Sequence, residues 1–475
     1  QYFSRCTLNY FLNFICNNFS LSFKEDEGEN RILEDINLKF EKGSINVITG
    51  RSGCGKSSLI KTINGIIPEV DKAKMEGDLL FDGESILKMD ITERSKFIST
   101  VFQNPKNQFY AINSLDEIAF ALENRNVSRD KIYEKIEYFS KLLNSQDLLG
   151  KDLFKLSGGQ KQLIAINSVA VMDNEIYIFD EPSASLDRES IEKLTHCLEV
   201  LKSLGKIIII AEHRLYYLKE IMDRLLIIEN RKILSYSKDR ISEEILEKHR
   251  LRTLKDIEKE ELISKSYEVK NLFDHSFDEE KSLVCREFFC QYEKNPKLFD
   301  FSMSFDPGIY FIIGANGIGK SSFIRNLCGL NKKQKGEVFY KNKRIKNHGD
   351  YISLVMQDVN YQLFTESVLT EMKIVTDDEK KIEEILKKLE LWNRRESHPQ
   401  KLSGGEKQRL ALGLAMASPK EIVVLDEPTS GLCFENMKRL IDILKEMKDE
   451  GKTIIVISHD YEFIKNSKEN IVEFV

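Results

Sequence analysis

Short apolar runs punctuate the chain in two spacings. Ile32-Leu33-Glu34-Asp35-Ile36-Asn37-Leu38-Lys39-Phe40 alternates apolar and polar side chains, which predicts a half-buried strand. It leads through Gly43 into the apolar run Ile45-Asn46-Val47-Ile48. The same succession returns far along the chain, where Phe299-Asp300-Phe301-Ser302-Met303 leads through Gly308 into Ile309-Tyr310-Phe311-Ile312-Ile313. Four further runs are apolar throughout: Ile176 to Phe179, Ile207 to Ile210, Ile422 to Leu425 and Ile454 to Ile457. Continuous β-branched runs of this length suit parallel strands covered on both faces. Helical spacing appears between them, as at Leu59, Ile60 and Ile63. The expected fold class is α/β, with a parallel core sheet in each half of the chain.

Chemistry-bearing residues repeat with the same order. Gly50-Arg51-Ser52-Gly53-Cys54-Gly55-Lys56-Ser57 and Gly314-Ala315-Asn316-Gly317-Ile318-Gly319-Lys320-Ser321 both fit G-x-x-x-x-G-K-[ST] and both follow an apolar run. Ser58 and Ser322 extend the two loops. Each loop is followed by Leu-Ser-Gly-Gly (Leu156 to Gly159, Leu402 to Gly405), then by Asp180-Glu181 or Asp426-Glu427 at the end of an apolar run, then by His213 or His459. In both copies 23 positions separate the serine of Leu-Ser-Gly-Gly from the aspartate, and 33 separate the aspartate from the histidine. The front halves differ: 101 positions lie between Lys56 and Ser157 but 83 between Lys320 and Ser403. This is a duplication of one large unit, not a solenoid with a period of about 20–50 residues.

Length and charge fit this picture. A chain of 475 residues holds two or three domains. The expected division is 1–238, a charged linker 239–282 and 283–475. The linker carries thirteen acidic and nine basic side chains, with Ile241, Ile245, Leu246, Leu251 and Leu254 at partly helical spacing. It reads as a solvated helical linker or as a small extension of the first domain. A net charge of −6 gives no support to nucleic-acid binding. No apolar run has the 18 or more residues of a membrane span, and Tyr10 to Cys16 reads as a buried first strand, neither an anchor nor a secretory signal. The chain opens on Gln1, not Met, which leaves its start open. The eight cysteines form no C-x-x-C pair, so they are expected to be reduced thiols in a cytosolic protein.

Glycine-rich loops of this kind wrap backbone N–H groups around nucleotide phosphates. Lys56 and Lys320 would pair with the β- and γ-phosphates, and Ser57 and Ser321 would bind Mg²⁺. Asp180 and Asp426 would hold the rest of the Mg²⁺ shell. Glu181 and Glu427 would orient or deprotonate the attacking water, and His213 and His459 would reach the γ-phosphate. A nucleotide with Mg²⁺ is thus the expected ligand of each loop.

Leu156-Ser157-Gly158-Gly159-Gln160 and Leu402-Ser403-Gly404-Gly405-Glu406 resemble the signature of ATP-binding cassette (ABC) ATPases. The resemblance implies a head-to-tail sandwich of two cassettes, formed here within one chain. One site would join Lys56 and Glu181 to Ser403, Gly404 and Gly405. The other would join Lys320 and Glu427 to Ser157, Gly158 and Gly159. Gln103 and Gln357 match the family's Q-loop glutamine, which touches Mg²⁺ or water and senses a membrane partner. Phe23 and Tyr292 fall where the family stacks an aromatic ring on adenine. Asp187 matches the D-loop aspartate, which Cys433 replaces in the second copy. The first site is therefore expected to hydrolyse ATP more slowly.

The Q-loop surroundings, from Val101 to Phe109 with Asp116 to Asn124, and from Gln357 to Phe364 with Ser367-Val368, are similar to those of energy-coupling factor (ECF) transporter ATPases, as is Glu212 to Leu218. That resemblance implies import of a vitamin or metal ion at the cytoplasmic face of the cell membrane, as a peripheral subunit. Its partners would be a transmembrane coupling protein (T component) and a substrate-binding membrane protein (S component), with no nucleic acid. The ATPase of another ABC transporter, or a soluble tandem-cassette ATPase acting on ribosomes or nucleic acid, remains as the alternative.

Overall fold

The computed structural model describes residues 13–25, 28–105, 108–263, 280–291, 299–331 and 335–474. It divides into two compact units, Gln1–Asp256 and Ile257–Val475.

In the first unit, strands Ser44–Gly50, Ile207–Ala211, Ile176–Asp180 and Ile98–Val101 pair in parallel. Arg224–Glu229 joins the other side of Ser44–Gly50, also in parallel, and Lys232–Ser237 closes that edge as an antiparallel hairpin. Alternation sends the side chains of one strand into two cores. Tyr177, Phe179, Ile208 and Ile210 enter the core on the helical side, whereas Ile176, Ile178, Ile207 and Ile209 enter the core on the opposite face. Burial on both faces explains why these runs contain no polar position. The second core is closed by an antiparallel sheet in the order Gly28–Phe40, Phe14–Glu25, Lys74–Phe81, Glu84–Ser85. Phe14 and Cys16 of the expected first strand are buried in it, and residues 10–12 lie outside the described residues.

The second unit repeats this plan. Its parallel sheet runs Ile352–Val355, Ile422–Asp426, Thr453–Ile457, Gly308–Gly314, Asn470–Phe474, and its antiparallel sheet runs Phe299–Phe305, Leu283–Cys290, Lys335–Tyr340, Lys343–Arg344. Gly77 shows how tightly the first antiparallel sheet is drawn. Its φ is +79°, and a Cβ there would lie 2.2 Å from the Asn18 carbonyl oxygen.

The chain divides inside the stretch expected as a linker. Helix Glu243–Lys248 and the segment after it belong to the first unit, where Leu246, Leu251 and Leu254 are buried in the helical-side core. Glu243 accepts hydrogen bonds from the Thr253 hydroxyl and the Leu254 amide, and His249 bridges Glu229 and Tyr236. Ile257 and Leu262 are buried in the second unit's core. Residues 264–279 of the expected linker lie outside the described residues. Cys16 and Cys197 are buried thiols pushed up to about 12 by desolvation, which leaves them unreactive at neutral pH.

Leu246 is 1% exposed, so Leu246→Ala should cost about 2–5 kcal/mol of unfolding free energy. A change within about 0.5 kcal/mol in chemical denaturation would show that residues 239–256 are solvated and not part of the first core.

Candidate functional site

In each unit the charged residues gather at the carboxyl ends of the parallel strands. Strand Ser44–Gly50 turns directly into the glycine loop and helix Lys56–Asn64. Gly50, Gly53 and Gly55 have φ of +149°, +78° and +108°. At two of them a side chain has no room: a Cβ on Gly50 would meet the Ile228 carbonyl oxygen at 2.6 Å, and one on Gly55 would meet Ile32 at 2.7 Å. The loop therefore keeps its backbone N–H groups clear of side chains, as a phosphate cradle requires. The Lys56 ammonium lies inside it, donating to the carbonyls of Gly50 and Arg51 at 3.3 Å. The second loop is built alike. Gly314, Gly317 and Gly319 have φ of +144°, +83° and +111°, and Lys320 donates to Gly314 at 2.7 Å and Ala315 at 2.8 Å. Ser57 and Ser321 are the second residues of the two helices, on exposed positions.

Asp180 and Asp426 end buried strands that lie one strand away from the phosphate-loop strand in each sheet. Burial raises the pKa of each. Lys56 pulls Asp180 back toward the ionised form, and Arg325 and Lys320 do the same for Asp426. A carboxylate desolvated beside an ammonium is a site whose charge balance a divalent cation and phosphate would complete. Among the described residues no three His, Cys, Asp or Glu side chains cluster as a metal site. One serine, one carboxylate and phosphate oxygens form a set that suits Mg²⁺, which keeps much of its water shell. The residues thus fit ATP with Mg²⁺: the loop and lysine would hold phosphates, and the serine and aspartate the ion.

Glu181 and Glu427 follow, with φ of +47° and +49°. Left-handed backbone costs a side-chain-bearing residue about 1–2 kcal/mol, yet both copies keep it. Each glutamate's amide donates across the sheet edge, Glu181 to Ala211 and Glu427 to Ile457. The bend turns the carboxylate toward the histidine: His213 Nε2 lies 3.6 Å from Glu181 Oε1, and His459 Nε2 lies 3.6 Å from Glu427 Oε1. Gln103 donates to Glu181 at 2.7 Å. Gln357 is exposed after strand Ile352–Val355, as Gln103 is after Ile98–Val101. His213 is almost fully buried, and desolvation, with Lys56 and Arg252 adding repulsion, lowers its pKa well below 6.5. The ring is neutral at pH 7 and able to share a proton with a neighbouring carboxylate or water.

The Leu-Ser-Gly-Gly segments start helices. Ser157 and Gln160 form a reciprocal capping box on helix Gly158–Ala170, and Ser403 and Glu406 form one on helix Gly404–Ala417. Ser157, Gly158, Ser403 and Gly404 are exposed, so each helix presents its N-terminus to solvent. Gly159 must be glycine for packing, because a Cβ would fall 1.9 Å from Ser190 Oγ. Gly405 has no such constraint. Phe23 is half-buried against the core that also holds Leu59 and Ile60 of the phosphate-loop helix. Tyr292 lies outside the described residues. The D-loop difference is visible as a lost cap. Asp187 accepts from the Ser190 amide at 3.0 Å at the start of helix Arg188–Ser203, while Cys433 begins helix Phe434–Asp449 without a side-chain cap.

Sequence reasoning missed the supports of the Q-loops. Gln108 accepts from the Phe102 amide and donates to the Thr100 carbonyl, and Gln362 does the same with Met356 and Leu354. Buried Glu117 accepts from the amides of Tyr110 and Ala111, and buried Glu371 from those of Phe364 and Thr365. The only advance signal was a glutamine five positions after Gln103 and after Gln357. These clamps leave Tyr110, Ile112 and Phe120 exposed in one unit, and Tyr361, Phe364 and Ile374 in the other.

Two measurements check this geometry. Asp187→Ala should destabilise the chain by about 1 kcal/mol through the lost cap, and Cys433→Asp should recover a similar amount, both read by denaturant midpoint. The depressed histidine sets a pH trend. The folded state holds His213 neutral, whereas the unfolded chain binds a proton near the ordinary value of 6.5. Its contribution is thus present above that pH and is lost as pH falls below it. Wild type should lose more stability between pH 7.5 and 5.5 than His213→Gln; equal losses would contradict a buried neutral ring.

The sequence model of the ABC transporter family matches residues 33–184 and 298–430, one match in each unit. A curated relative in Treponema denticola, named by inference as an ABC transporter ATP-binding protein, is 37% identical over 94% of this chain and 92% of its own length. Among solved structures, an archaeal ribosome recycling factor bound to a ribosomal stalk protein superposes with a TM-score of 0.58 at 19% identity, covering 94% of this chain and 86% of that one, a likeness of fold. Part of a Clostridium perfringens ABC transporter complex, cbiO1, is 27% identical over 50% of this chain and 94% of its own, with a TM-score of 0.45. Two phosphate loops, two signature helices and two strand-end Asp-Glu pairs, matched by the family over both units, make this chain a tandem-cassette member of the ABC transporter family of ATP-hydrolysing proteins.

Proposed function

We propose that this chain is the energy-coupling subunit of a membrane transporter, of the ECF type that imports a vitamin or a metal ion. No helix among the described residues is long and apolar enough to cross a membrane, so on this reading the transport path belongs to partners. The observation that carries the proposal is the pair of clamped Q-loops. Each places an exposed apolar surface beside a glutamine at the nucleotide-site edge, and in the first unit the Tyr110 and Phe120 rings stack there with centroids 5.2 Å apart. Ordered rings left in water are a surface suited to a partner. The Q-loop sequences, similar to those of ECF ATPases, favour a transmembrane coupling protein with cytoplasmic helices as that partner, and with it a small substrate-binding membrane protein.

In this mechanism the two loops bind ATP phosphates through backbone N–H groups, Lys56 and Lys320. Ser57 with Asp180 in one unit, and Ser321 with Asp426 in the other, would hold Mg²⁺, which would supply charge neutralisation. Glu181 and Glu427 orient the attacking water. His213 and His459 hold that carboxylate and reach the γ-phosphate, and Gln103 and Gln357 report site closure to the docked helices. Ser157, Gly158 and Gly159 in the first unit, and Ser403, Gly404 and Gly405 in the second, start the signature helices, whose exposed N-termini suit nucleotide phosphate. Positioning and charge stabilisation supply the rate.

Tagged chain purified from gently solubilised native membranes should carry a multi-span coupling protein and a small membrane protein, identified by mass spectrometry. Recovery of ribosomal proteins without a membrane partner would overturn the proposal. Because Cys433 replaces the D-loop aspartate in one copy, and the first site is on that account the expected slower one, Glu427→Gln should lower ATPase rate more than Glu181→Gln; the reverse order would contradict that asymmetry.

A further inference from the structure

The first unit contains a buried carboxylate that the mechanism above does not use. Glu212 directly precedes His213, is 2% exposed, and accepts five hydrogen bonds. Its Oε2 takes the Ser183 hydroxyl at 2.6 Å, the Ser183 amide at 3.3 Å and the Tyr217 hydroxyl at 2.9 Å. Its Oε1 takes the amides of His213 at 2.7 Å and Arg214 at 3.1 Å. Arg214 in turn donates to the Ser183 carbonyl at 3.3 Å. Ser183 lies two residues after Glu181, so one carboxylate binds the turn that carries the glutamate to the turn that carries the histidine.

The second unit has lost this device. Across the constant offset of 246 positions, Glu212 corresponds to Ser458, Ser183 to Thr429, Arg214 to Asp460 and Tyr217 to Phe463. Ser458 accepts instead from the Asp460 amide at 3.1 Å. The Thr429 hydroxyl is buried without a hydrogen-bond partner, at the position where Ser183 meets its carboxylate. Asp460 caps helix Tyr461–Ser467, which the first unit replaces with the short turn Tyr216–Leu218. A buried anion is costly unless donors surround it. Here all five donors come from the two segments that flank the hydrolytic pair.

We infer that Glu212 is a positioning residue for hydrolysis in the first unit, fixing the Glu181–His213 geometry through Ser183 and the His213 amide. The inference rests on the reading of Glu181 and His213 as hydrolytic groups. Those two side chains sit 3.6 Å apart just past the ends of different strands, one on a left-handed residue directly after Ile176–Asp180 and the other two residues after Ile207–Ala211. Neither segment is regular structure past the strand, so their relative placement depends on the cross-bonds between them. Displacements of about 1 Å at such a site cost up to about 100-fold in rate.

The test uses the full chain carrying Glu427→Gln, which leaves hydrolysis to the first unit. Adding Glu212→Gln preserves shape but gives the Ser183 and Tyr217 hydroxyls an amide nitrogen or forces them to reorient. The expected result is a fall in kcat of about 10- to 100-fold with KM for ATP within about twofold and an unchanged melting midpoint. In the reciprocal background, Glu181→Gln, the same substitution should leave the remaining rate unaltered. Ser183→Ala should lower kcat in the first background, and combined with Glu212→Gln should add less than the product of the two losses, because both act through one bond. A live background in which Glu212→Gln leaves kcat unchanged would overturn the inference alone, as would a loss confined to KM. If Glu212→Gln lowers the melting midpoint, Ser183→Ala and Tyr217→Phe decide: a kcat loss in either supports the role, and none in both overturns it. A Glu427→Gln chain no faster than the doubly substituted Glu181→Gln/Glu427→Gln chain would overturn the reading of the site itself, and the inference with it.

Discussion

A parallel sheet buried on both faces leaves one place for charge, the edge where its strands end. Ile176 to Phe179 and Ile207 to Ile210 have no face open to water, so a charged side chain anywhere along them would be stranded in hydrocarbon. At the carboxyl ends the chain turns, and Asp180, Glu181, Glu212 and His213 follow within three residues of the apolar runs that end at Phe179 and Ile210. Lys56 arrives at the same edge because the loop after strand Ser44–Gly50 begins a helix there. Every candidate role depends on this arrangement. The sheet supplies rigidity, and its edge supplies adjacency between groups far apart in sequence, in keeping with ligand sites of open α/β sheets generally.

That constraint also explains what could be read from the sequence. Uninterrupted apolar runs ending in Asp-Glu or in a histidine state both the burial and the point where it stops, so the α/β class and the edge residues were legible in both halves. Ile241, Ile245, Leu246, Leu251 and Leu254 carried enough periodicity to raise an extension of the first domain as an option; the burial of the last three shows why helix Glu243–Lys248 packs on that unit. Other features were silent. The positive φ at Glu181 and Glu427 has no sequence mark, since glycine normally signals it. Glu212 stood in plain view after an apolar run, but its five donors come from residues up to 29 positions away, and no local pattern announces such a hub. The Q-loop clamps are hidden for the same reason.

The two units share one frame and diverge at the supports of the residues proposed for hydrolysis. Phosphate loops, strand-end carboxylates and capping boxes agree almost bond for bond. Asp187 against Cys433, and Glu212 against Ser458, do not. The first substitution removes a helix cap in the second unit, and the second leaves the Thr429 hydroxyl there without a partner. Duplicated cassettes can thus keep the same candidate nucleotide edge while differing in how firmly its residues are held, a difference invisible to motif matching.

Two edges built alike should give the chain two sites for ATP with Mg²⁺. Equilibrium dialysis of ATP with Mg²⁺ against the full chain carrying Glu181→Gln and Glu427→Gln, which slows turnover, measures it directly. Two nucleotides per chain, falling to one on Lys56→Ala, is the result expected of two edges built alike. Saturation at one nucleotide, or a count indifferent to Lys56, would contradict it.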